Sequence, residues 1–501
     1  IKELLEENIK VILIPRPRRF GKSLNFSMLK YFFDIKEESR ELFEGLKISE
    51  EKECMEHMNK YPVLSITFKD VFGDSWPEVE GEINLRISEI YSKYKKEVWE
   101  VLTEEEKKVY KQLESKTAER REVKNSIKKL TEILHRKYGK KVILLIDEYD
   151  AVMTSMYGKE GFDSCMGIFR GIYEKALKGN DAIHKALMTG IIRISGGLEP
   201  NNVKIYGVTH NKYGEYFGFT EEELKPIIKN SELNYEEVKS YYKGYNFGGT
   251  LVYNPWSVVN YLKRGKYGSY WKNTSGNDLV KELVKKGGPE VKYSFERMLE
   301  GESVNLEVED NVNLRELQVG DIYSLLLQSG YLTYEEKDGV RKYKLPNKEV
   351  RDFISSLEDK LNKEIKIPEG IEELLVERDW EKLEKALELG IIRTMSYFDL
   401  PKNEGTEPSY HIGLFSSFKL YRAKSNVESG LGRLDILLSR RDKREHIIIE
   451  IKAGNSYNKL EELVEKAKRQ IKEKRYGDDL EGEVIKIGIG FIGKEVKLKV
   501  V

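Results

Sequence analysis

The segment Arg16-Pro-Arg-Arg-Phe-Gly-Lys-Ser23 contains residue types that can bind the phosphates of a nucleotide. It fits the pattern G-x-x-x-x-G-K-[ST] except at the first position, where arginine stands in place of glycine. In such a loop Gly21 lets the backbone approach the phosphates, Lys22 reaches the β- and γ-oxygens, and Ser23 holds Mg²⁺ through its hydroxyl group. Taken alone, the tripeptide Gly-Lys-Ser could equally do no more than begin a helix.

A pair of acids gives this loop a functional context. Asp147 and Glu148 end the apolar run Val142–Ile146, where one acid can orient Mg²⁺ and its neighbour can activate water. The same pair could instead cap the start of a helix. Because both elements occur together, in order and each at the end of a predicted strand, the sequence predicts a nucleoside triphosphatase fold.

A second set of candidate residues lies near the end of the chain. Asp435 belongs to the run GRLDILL, and Glu450-Ile-Lys452 ends the run HIIIEIK. Side chains alternate along a strand, so Glu450 and Lys452 share a face while Ile451 points to the core. Pairing of the two strands across a polar turn can bring Asp435 beside them. Two carboxylates can bind Mg²⁺ or Mn²⁺ and an ammonium group can stabilise charge, which is what a metal-dependent phosphodiesterase needs. The alternative is a solvated strand face, since E-x-K is frequent in a chain rich in Glu and Lys.

The elements that must position these residues predict an α/β fold, because strands alternate with helices. Around the first set, strands are predicted at Lys10–Ile14, Tyr61–Phe68, Lys141–Asp147 and Lys185–Thr189, and helices at Leu24–Phe33 and within 79–138. Around the second set, strands are predicted at Gly432–Leu438, His446–Lys452 and Val484–Phe491, and a helix at Lys459–Lys474. Changes in the kind of predicted secondary structure divide the chain into three parts. They are residues 1–219, a helical lid-like part at 220–368, and a small α/β domain at 369–501.

Composition limits the possible classes of protein. A chain of 501 residues is too long for one core. Its 86 basic and 86 acidic residues balance, so the protein has no net charge that could attract a polyanion from a distance. Nucleic-acid binding must therefore come from locally basic patches of the surface. Cys54 and Cys165 have no spaced partner, which argues against a disulfide framework or a cysteine zinc site. No apolar run approaches the roughly 18 residues of a membrane span, and no signal peptide precedes the first strand. We therefore expect a cytoplasmic protein without a membrane partner.

Several segments together are similar to one known family. The stretches RPRRFGKSLNFSMLKYFF, LLIDEYDAVM, ALMTGIIRIS, YGEYFGFTEEEL and GYNFGG…VYNPWSV resemble prokaryotic AAA-ATPase-like proteins with a C-terminal PD-(D/E)XK nuclease-like domain. The resemblance implies that arginine at the first loop position is the usual form and that Arg16 belongs to an inherited variant. It also implies a further N-terminal segment before the first strand, so natural N-terminal residues are expected to be missing.

Further candidate residues accompany each site. Arg16, Arg18 and Arg19 add cations near the phosphates, although they could instead pair with acids of neighbouring helices. Thr189, at the end of its strand, is a candidate sensor of the γ-phosphate, and Arg193 is a possible charge partner.

The C-terminal site also has accessory candidates. The block Glu428–Asp435 resembles the nuclease motif of the family, with Glu428 as a possible further acid. Gln470 matches a polar position near the metal site in such folds.

These observations predict a three-part enzyme: a P-loop ATPase domain at 1–219, a helical lid or linker at 220–368, and a PD-(D/E)XK nuclease-like domain at 369–501. The expected function is metal-dependent cleavage of nucleic acid, with DNA as the favoured substrate, gated by ATP. The expected cofactors are ATP and Mg²⁺ or Mn²⁺, and a homo-oligomer is possible. The alternative is a nucleotide-responsive DNA-binding or scaffold protein without nuclease turnover.

Overall fold

The computed structural model forms two compact units, Ile1–Val280 with Gly301–Phe353, and Lys281–Glu300 with Ile354–Val501. The residues that the structure describes are 1–195, 202–229, 233–271, 282–284, 286–287, 291, 294–295, 297–364, 371–394, 418, 420–442, 444–454, 459–492 and 495–501. Within these ranges, no helix has the length and apolar character needed to cross a membrane.

The first unit contains a five-stranded parallel sheet in the order β2-β3-β4-β1-β5. Its strands are β1 (Val11–Pro15), β2 (Val63–Thr67), β3 (Val142–Asp147), β4 (Ile183–Gly190) and β5 (Val203–Ile205). Strands β1 and β3 read VILIP and VILLID and are buried along their whole length, as expected for central strands covered on both faces. The α/β prediction is thus confirmed, although the short β5 was not predicted.

Helices connect these strands and continue beyond them. They are α1 (Lys2–Glu6), α2 (Lys22–Phe33), α3 (Lys52–Met55), α4 (Trp76–Val98), α5 (Glu104–Glu114), α6 (Arg120–Tyr138), α7 (Ala151–Ser155), α8 (Phe162–Leu177), α9 (Glu221–Lys229), α10 (Tyr235–Tyr242), α11 (Pro255–Arg264) and α12 (Val319–Gln328). The charged stretch 79–138 is helical because each helix has an apolar stripe: Val123, Ile127 and Leu134 are buried on α6.

The segment that was predicted to be a helical lid also contains two β-hairpins. They are β6 (Lys243–Phe247) with β7 (Thr250–Tyr253), and β8 (Thr333–Lys337) with β9 (Val340–Lys344). Their two-residue turns, Gly248-Gly249 and Asp338-Gly339, have positive φ at all four residues, which favours tight hairpins. Residues 220–280 and 301–353 of this segment belong to the first unit, whereas residues 281–300 and 354–368 belong to the second. The three-part division of the chain stays a proposal.

The second unit contains a mixed five-stranded sheet in the order β10-β11-β12-β13-β14. The strands are β10 (Tyr421–Ser429), β11 (Gly432–Arg440), β12 (Glu445–Gly454), β13 (Glu483–Ile492) and β14 (Glu495–Val500). Only β12 and β13 pair in parallel. The three predicted strands and the predicted helix are present, whereas β10 and β14 were not predicted.

Helices also accompany the second sheet. Helix α13 (Lys348–Glu364) crosses the boundary between the units along the chain, and α14 (Ile371–Glu377), α15 (Trp380–Thr394) and α16 (Leu460–Glu473) follow. Leu375 and Leu387 pack on one sheet face with Ile449. Ile471 of α16 belongs to a second cluster with Ile448.

Candidate active sites

The phosphate loop connects the end of β1 to the start of α2. Two of its residues adopt positive φ, Arg19 at 69° and Gly21 at 79°. Arg16 is not among the described residues with positive φ. The first position of this loop therefore does not need the conformational freedom of glycine, and arginine causes no backbone strain there.

Ser23 and Asp147 meet at the carboxyl edge of the first sheet. The Ser23 hydroxyl donates a hydrogen bond to Asp147 Oδ2 at 2.6 Å. The other oxygen, Asp147 Oδ1, is buried and has no hydrogen-bond partner within the described ranges. Mg²⁺ binds oxygen ligands, and the Ser23 hydroxyl group and the unpartnered oxygen of Asp147 are ligands of this kind.

Lys22 lies beside this pair and is only 6% exposed. Its ammonium group donates to the carbonyl oxygens of Arg16 at 3.1 Å and Pro17 at 3.0 Å. Burial lowers the pKa of Lys22, while the nearby carboxylates of Asp150 and Glu148 oppose that effect. A buried cation held by carbonyl groups is placed to exchange them for phosphate oxygens.

Glu148 follows Asp147 in an unusual conformation. Its φ is 53°, which is uncommon for a residue other than glycine and is found most often where function requires it. The side chain is half-buried, and burial raises the pKa of its carboxyl group while Lys22 lowers it. An acid with a raised pKa beside a phosphate site can act as a general base.

The second unit brings Asp435, Glu450 and Lys452 together on adjacent strands. Ile436 pairs with Ile449, and one step further along this antiparallel ladder puts Asp435 opposite Glu450. Asp435 Oδ2 accepts a hydrogen bond from the backbone N–H of Ile451 at 2.7 Å.

The charges of this site lie close together, with Glu450 fully buried and Asp435 and Lys452 half-buried. Glu450 is 0% exposed, and its Oε1 accepts from Lys452 Nζ at 2.9 Å. Its second oxygen, Oε2, is buried without a partner among the described residues. Burial raises the pKa of Glu450, and the neighbouring carboxyl group of Asp435 raises it further. Two such carboxyl groups are stabilised when a cation shares them.

Comparisons with known proteins match two separate parts of the chain. Residues 1–197 match the AAA-ATPase-like family, described as "Predicted AAA-ATPase", and residues 405–500 match a family of the PD-(D/E)XK nuclease superfamily. These two matches, one in the N-terminal part and one at the C-terminal end, confirm the expected resemblance. It is also 26% identical over 365 residues to an uncharacterised protein in the vnfD 5′ region of Azotobacter chroococcum. That alignment covers 70% of this chain and 63% of the relative's length.

Arg16 of the AAA-ATPase-like domain does not lie where the sequence suggested. Its side chain is 0% exposed, and Nη1 donates to the carbonyl oxygens of Pro15 and Tyr206, both at 2.8 Å. The guanidinium carbon lies 5.2 Å from the ring centres of Phe217 and Phe247. Burial lowers the pKa of Arg16 to about 9, so the group stays charged at neutral pH. In this conformation its donors face the interior of the unit rather than a bound phosphate.

The other two arginines of the loop are more accessible. Arg18 is half-buried, and its Nη1 has no partner within the described part of the chain, so this donor could reach a phosphate. Arg19 is exposed and stacks over the Trp256 ring at 4.3 Å.

Thr189, the candidate sensor of the γ-phosphate, and Arg193, the possible charge partner, both make hydrogen bonds within the first unit. The Thr189 hydroxyl group is buried and donates to the carbonyl oxygen of Ile14 at 2.8 Å, so it supports the pairing of β4 with β1 and is not presented to a nucleotide. The backbone N–H of Arg193 donates to Gln328 Oε1 at 2.7 Å, and the residue lines a cavity of about 110 Å³. A charge-partner role for Arg193 stays a prediction.

Glu428 and Gln470 lie near the PD-(D/E)XK residues in different ways. Glu428 is exposed on β10 and pairs opposite Arg433. By strand alternation it shares a sheet face with Asp435. Gln470 Nε2 donates to the Tyr476 hydroxyl group at 3.2 Å, and that hydroxyl donates to the carbonyl oxygen of Arg433 at 2.6 Å.

Sequence reasoning missed Asp150 as a site residue. Its carboxylate is 2% exposed and is the largest of the acidic influences on the pKa of Lys22. The signal that could have found it is its position three residues after Asp147, on the turn that carries Glu148.

Proposed function

We propose that this protein is a nucleotide-gated, divalent-metal-dependent nuclease that cleaves nucleic acid, with DNA as the favoured substrate, in the cytoplasm. The observation that carries the proposal is that each unit brings polar side chains of the expected types together: Lys22, Ser23 and Asp147 in one, and Asp435, Glu450 and Lys452 in the other. Each site also holds a buried carboxylate oxygen without a partner in the described part of the chain, Asp147 Oδ1 and Glu450 Oε2. Such oxygens are costly unless a ligand satisfies them.

In the ATPase-like domain, Lys22 would bind the β- and γ-phosphates of ATP, and Ser23 with Asp147 would hold Mg²⁺. A bound Mg²⁺ neutralises charge on the phosphates. Glu148 would orient and deprotonate the attacking water. Arg18 supplies a further cation whose Nη1 is not used by the described residues.

In the nuclease-like domain, Asp435 and Glu450 would hold Mg²⁺ or Mn²⁺. A bound ion of this kind lowers the pKa of water and neutralises charge on the scissile phosphate. The described residues contain no group of three or more His, Cys, Asp or Glu side chains suited to a metal, so backbone oxygens and water would complete the shell. Lys452, 2.9 Å from Glu450 Oε1, would stabilise negative charge that develops on the phosphate.

The test is a cleavage assay with the whole chain. Linear duplex DNA, circular duplex DNA, single-stranded DNA and RNA are incubated with Mg²⁺ or Mn²⁺, and each is tested without nucleotide, with ADP, with ATP and with a non-hydrolysable ATP analogue. ATP turnover is recorded in parallel. We expect metal-dependent product whose rate depends on the nucleotide.

The outcomes separate the parts of the proposal. Equal cleavage with and without nucleotide would remove gating only. Cleavage of RNA alone would correct the substrate. Binding of ATP and DNA without any product would favour the nucleotide-responsive scaffold instead.

A further inference from the structure

The turn after β4 is held by a side chain of the acid-bearing turn after β3. Asp150 Oδ2 accepts hydrogen bonds from the backbone N–H groups of Ile191 at 2.9 Å and Ile192 at 2.8 Å. Although Asp150 precedes α7, its side chain makes no capping bond to that helix. The carboxylate is therefore committed to the 190–192 turn.

Gly190 makes this approach possible. A Cβ atom at this position would lie 2.2 Å from Asp150 Oδ1 and 2.7 Å from Tyr149 Cδ1. Both distances are far below van der Waals contact, so any other residue would push the two turns apart.

Tyr149 reinforces the same junction. Its backbone N–H donates to the carbonyl oxygen of Thr189 at 3.0 Å, and its hydroxyl group donates to the carbonyl oxygen of Ile192 at 2.9 Å. Tyr149 and Asp150, which follow Glu148, thus form hydrogen bonds to residues on both sides of Gly190 at the end of β4. Glu148, with its positive φ, is a strained residue that persists only when its surroundings hold it.

The junction also touches the phosphate loop. The backbone N–H of Arg16 donates to the carbonyl oxygen of Gly190 at 3.0 Å. Asp150 Oδ1 is buried without a partner in the described part of the chain and lies close enough to Lys22 to influence it electrostatically. The loop, the 190–192 turn and the turn with Glu148 therefore meet at Asp150.

The geometry points to Asp150 as a positioning residue of ATP hydrolysis, whose carboxylate fixes the 190–192 turn and thereby the orientation of Glu148. This inference rests on the proposed ATPase function. Asp150 does not contact the reacting atoms in this account. It acts by fixing the position of Glu148, which orients the attacking water. Misplacement of a catalytic group by about 1 Å can cost on the order of 100-fold in rate.

The test compares Asp150→Asn and Asp150→Ala with the parent in the whole chain. A matched control is Asp34→Asn: Asp34 is also 2% exposed and accepts a backbone hydrogen bond, from Lys36, but lies at the opposite end of α2 from Ser23. We expect kcat for ATP to fall about 100-fold in Asp150→Ala, with partial rescue in Asp150→Asn, which retains one acceptor oxygen. The dissociation constant for ADP should stay within about threefold, and the control should match the parent.

Hydrogen exchange gives a readout that does not depend on turnover. The peptide covering residues 189–194 should exchange about tenfold faster in Asp150→Ala than in the parent or in Asp34→Asn, because the hydrogen bonds donated by the backbone N–H groups of Ile191 and Ile192 are lost. Unchanged exchange in Asp150→Ala would overturn the inference, whether or not the parent hydrolyses ATP. A parent without ATP turnover would separately refute the ATPase proposal. Equal losses of ADP affinity and kcat would also overturn it, because they would make Asp150 a general structural residue. So would parent-like kcat in Asp150→Ala.

Discussion

Replacing Arg16 by glycine would give the phosphate loop the residue that the general pattern has there, and we expect it to weaken the loop. The guanidinium group holds the carbonyl oxygens of Pro15 and Tyr206, both at 2.8 Å, and is 0% exposed. Its carbon also lies 5.2 Å from the ring centres of Phe217 and of Phe247. The substitution removes these bonds and leaves a cavity.

The magnitude follows from these contacts. Hydrogen bonds to a charged donor contribute about 1.5–3 kcal/mol each, and a new glycine adds about 0.5–1 kcal/mol of backbone entropy cost. We therefore expect a loss of roughly 4–7 kcal/mol from the first unit. A unit of this size responds by about 1–2 °C per kcal/mol, so its unfolding midpoint should fall by roughly 4–14 °C.

Scanning calorimetry and titration calorimetry with ADP and ATP measure the result. An anchoring role predicts that both nucleotides bind more weakly by a similar factor, whereas a phosphate-contacting role predicts a larger loss for ATP. The control is Arg19→Gly, because Arg19 is exposed and has φ of 69°, so glycine there should not lower the midpoint. Tighter ATP binding by Arg16→Gly at an unchanged midpoint would refute the reasoning and make Arg16 a defect.

Three further outcomes are expected. Lys22→Ala should lose ATP affinity by calorimetry with an unchanged fold, and parent-like affinity and turnover would reduce Lys22 to the first residue of a helix. Glu148→Gln should bind ATP but hydrolyse it slowly, and equal turnover would remove Glu148 from the reaction. Glu349 is 0% exposed, accepts bonds from Ser257 and the Trp271 N–H, and burial raises its pKa from 4.5 to about 7. The folded state therefore holds this proton more tightly, so the contribution of Glu349 to stability is largest below pH 4.5 and falls by about 3 kcal/mol as pH rises through 7. Glu349→Gln should abolish this component in denaturation curves recorded across that range, and an unchanged pH profile would contradict it.

The two sites could be located from sequence because each combines distinctive residue types with a strong local context. Gly-Lys-Ser after a β-branched run, and acids at the end of apolar runs, indicate strand ends wherever they occur. Ile451 packs on the core as strand alternation predicts.

The position of the Arg16 side chain could not be predicted in this way. Its direction depends on Tyr206, Phe217 and Phe247, which are about 190 or more residues away along the chain. The hairpin β6–β7 had a readable signal in Gly248-Gly249, which the assignment of residues 220–368 to a helical part overlooked. Asp150 was missed because its partners are backbone N–H groups, which no residue pattern displays.

The most direct test of the central claim uses variants of the nuclease-like site. Metal binding by calorimetry and DNA cleavage are measured for Asp435→Ala, Glu450→Ala and Lys452→Ala, with Asp442→Ala, an exposed acid in the β11–β12 turn, as the control. We predict that the two carboxylate variants lose both metal binding and cleavage, that Lys452→Ala keeps metal but loses cleavage, and that the control retains both. Cleavage that survives EDTA, or that persists in Lys452→Ala at the parent rate, would contradict the assignment of this site.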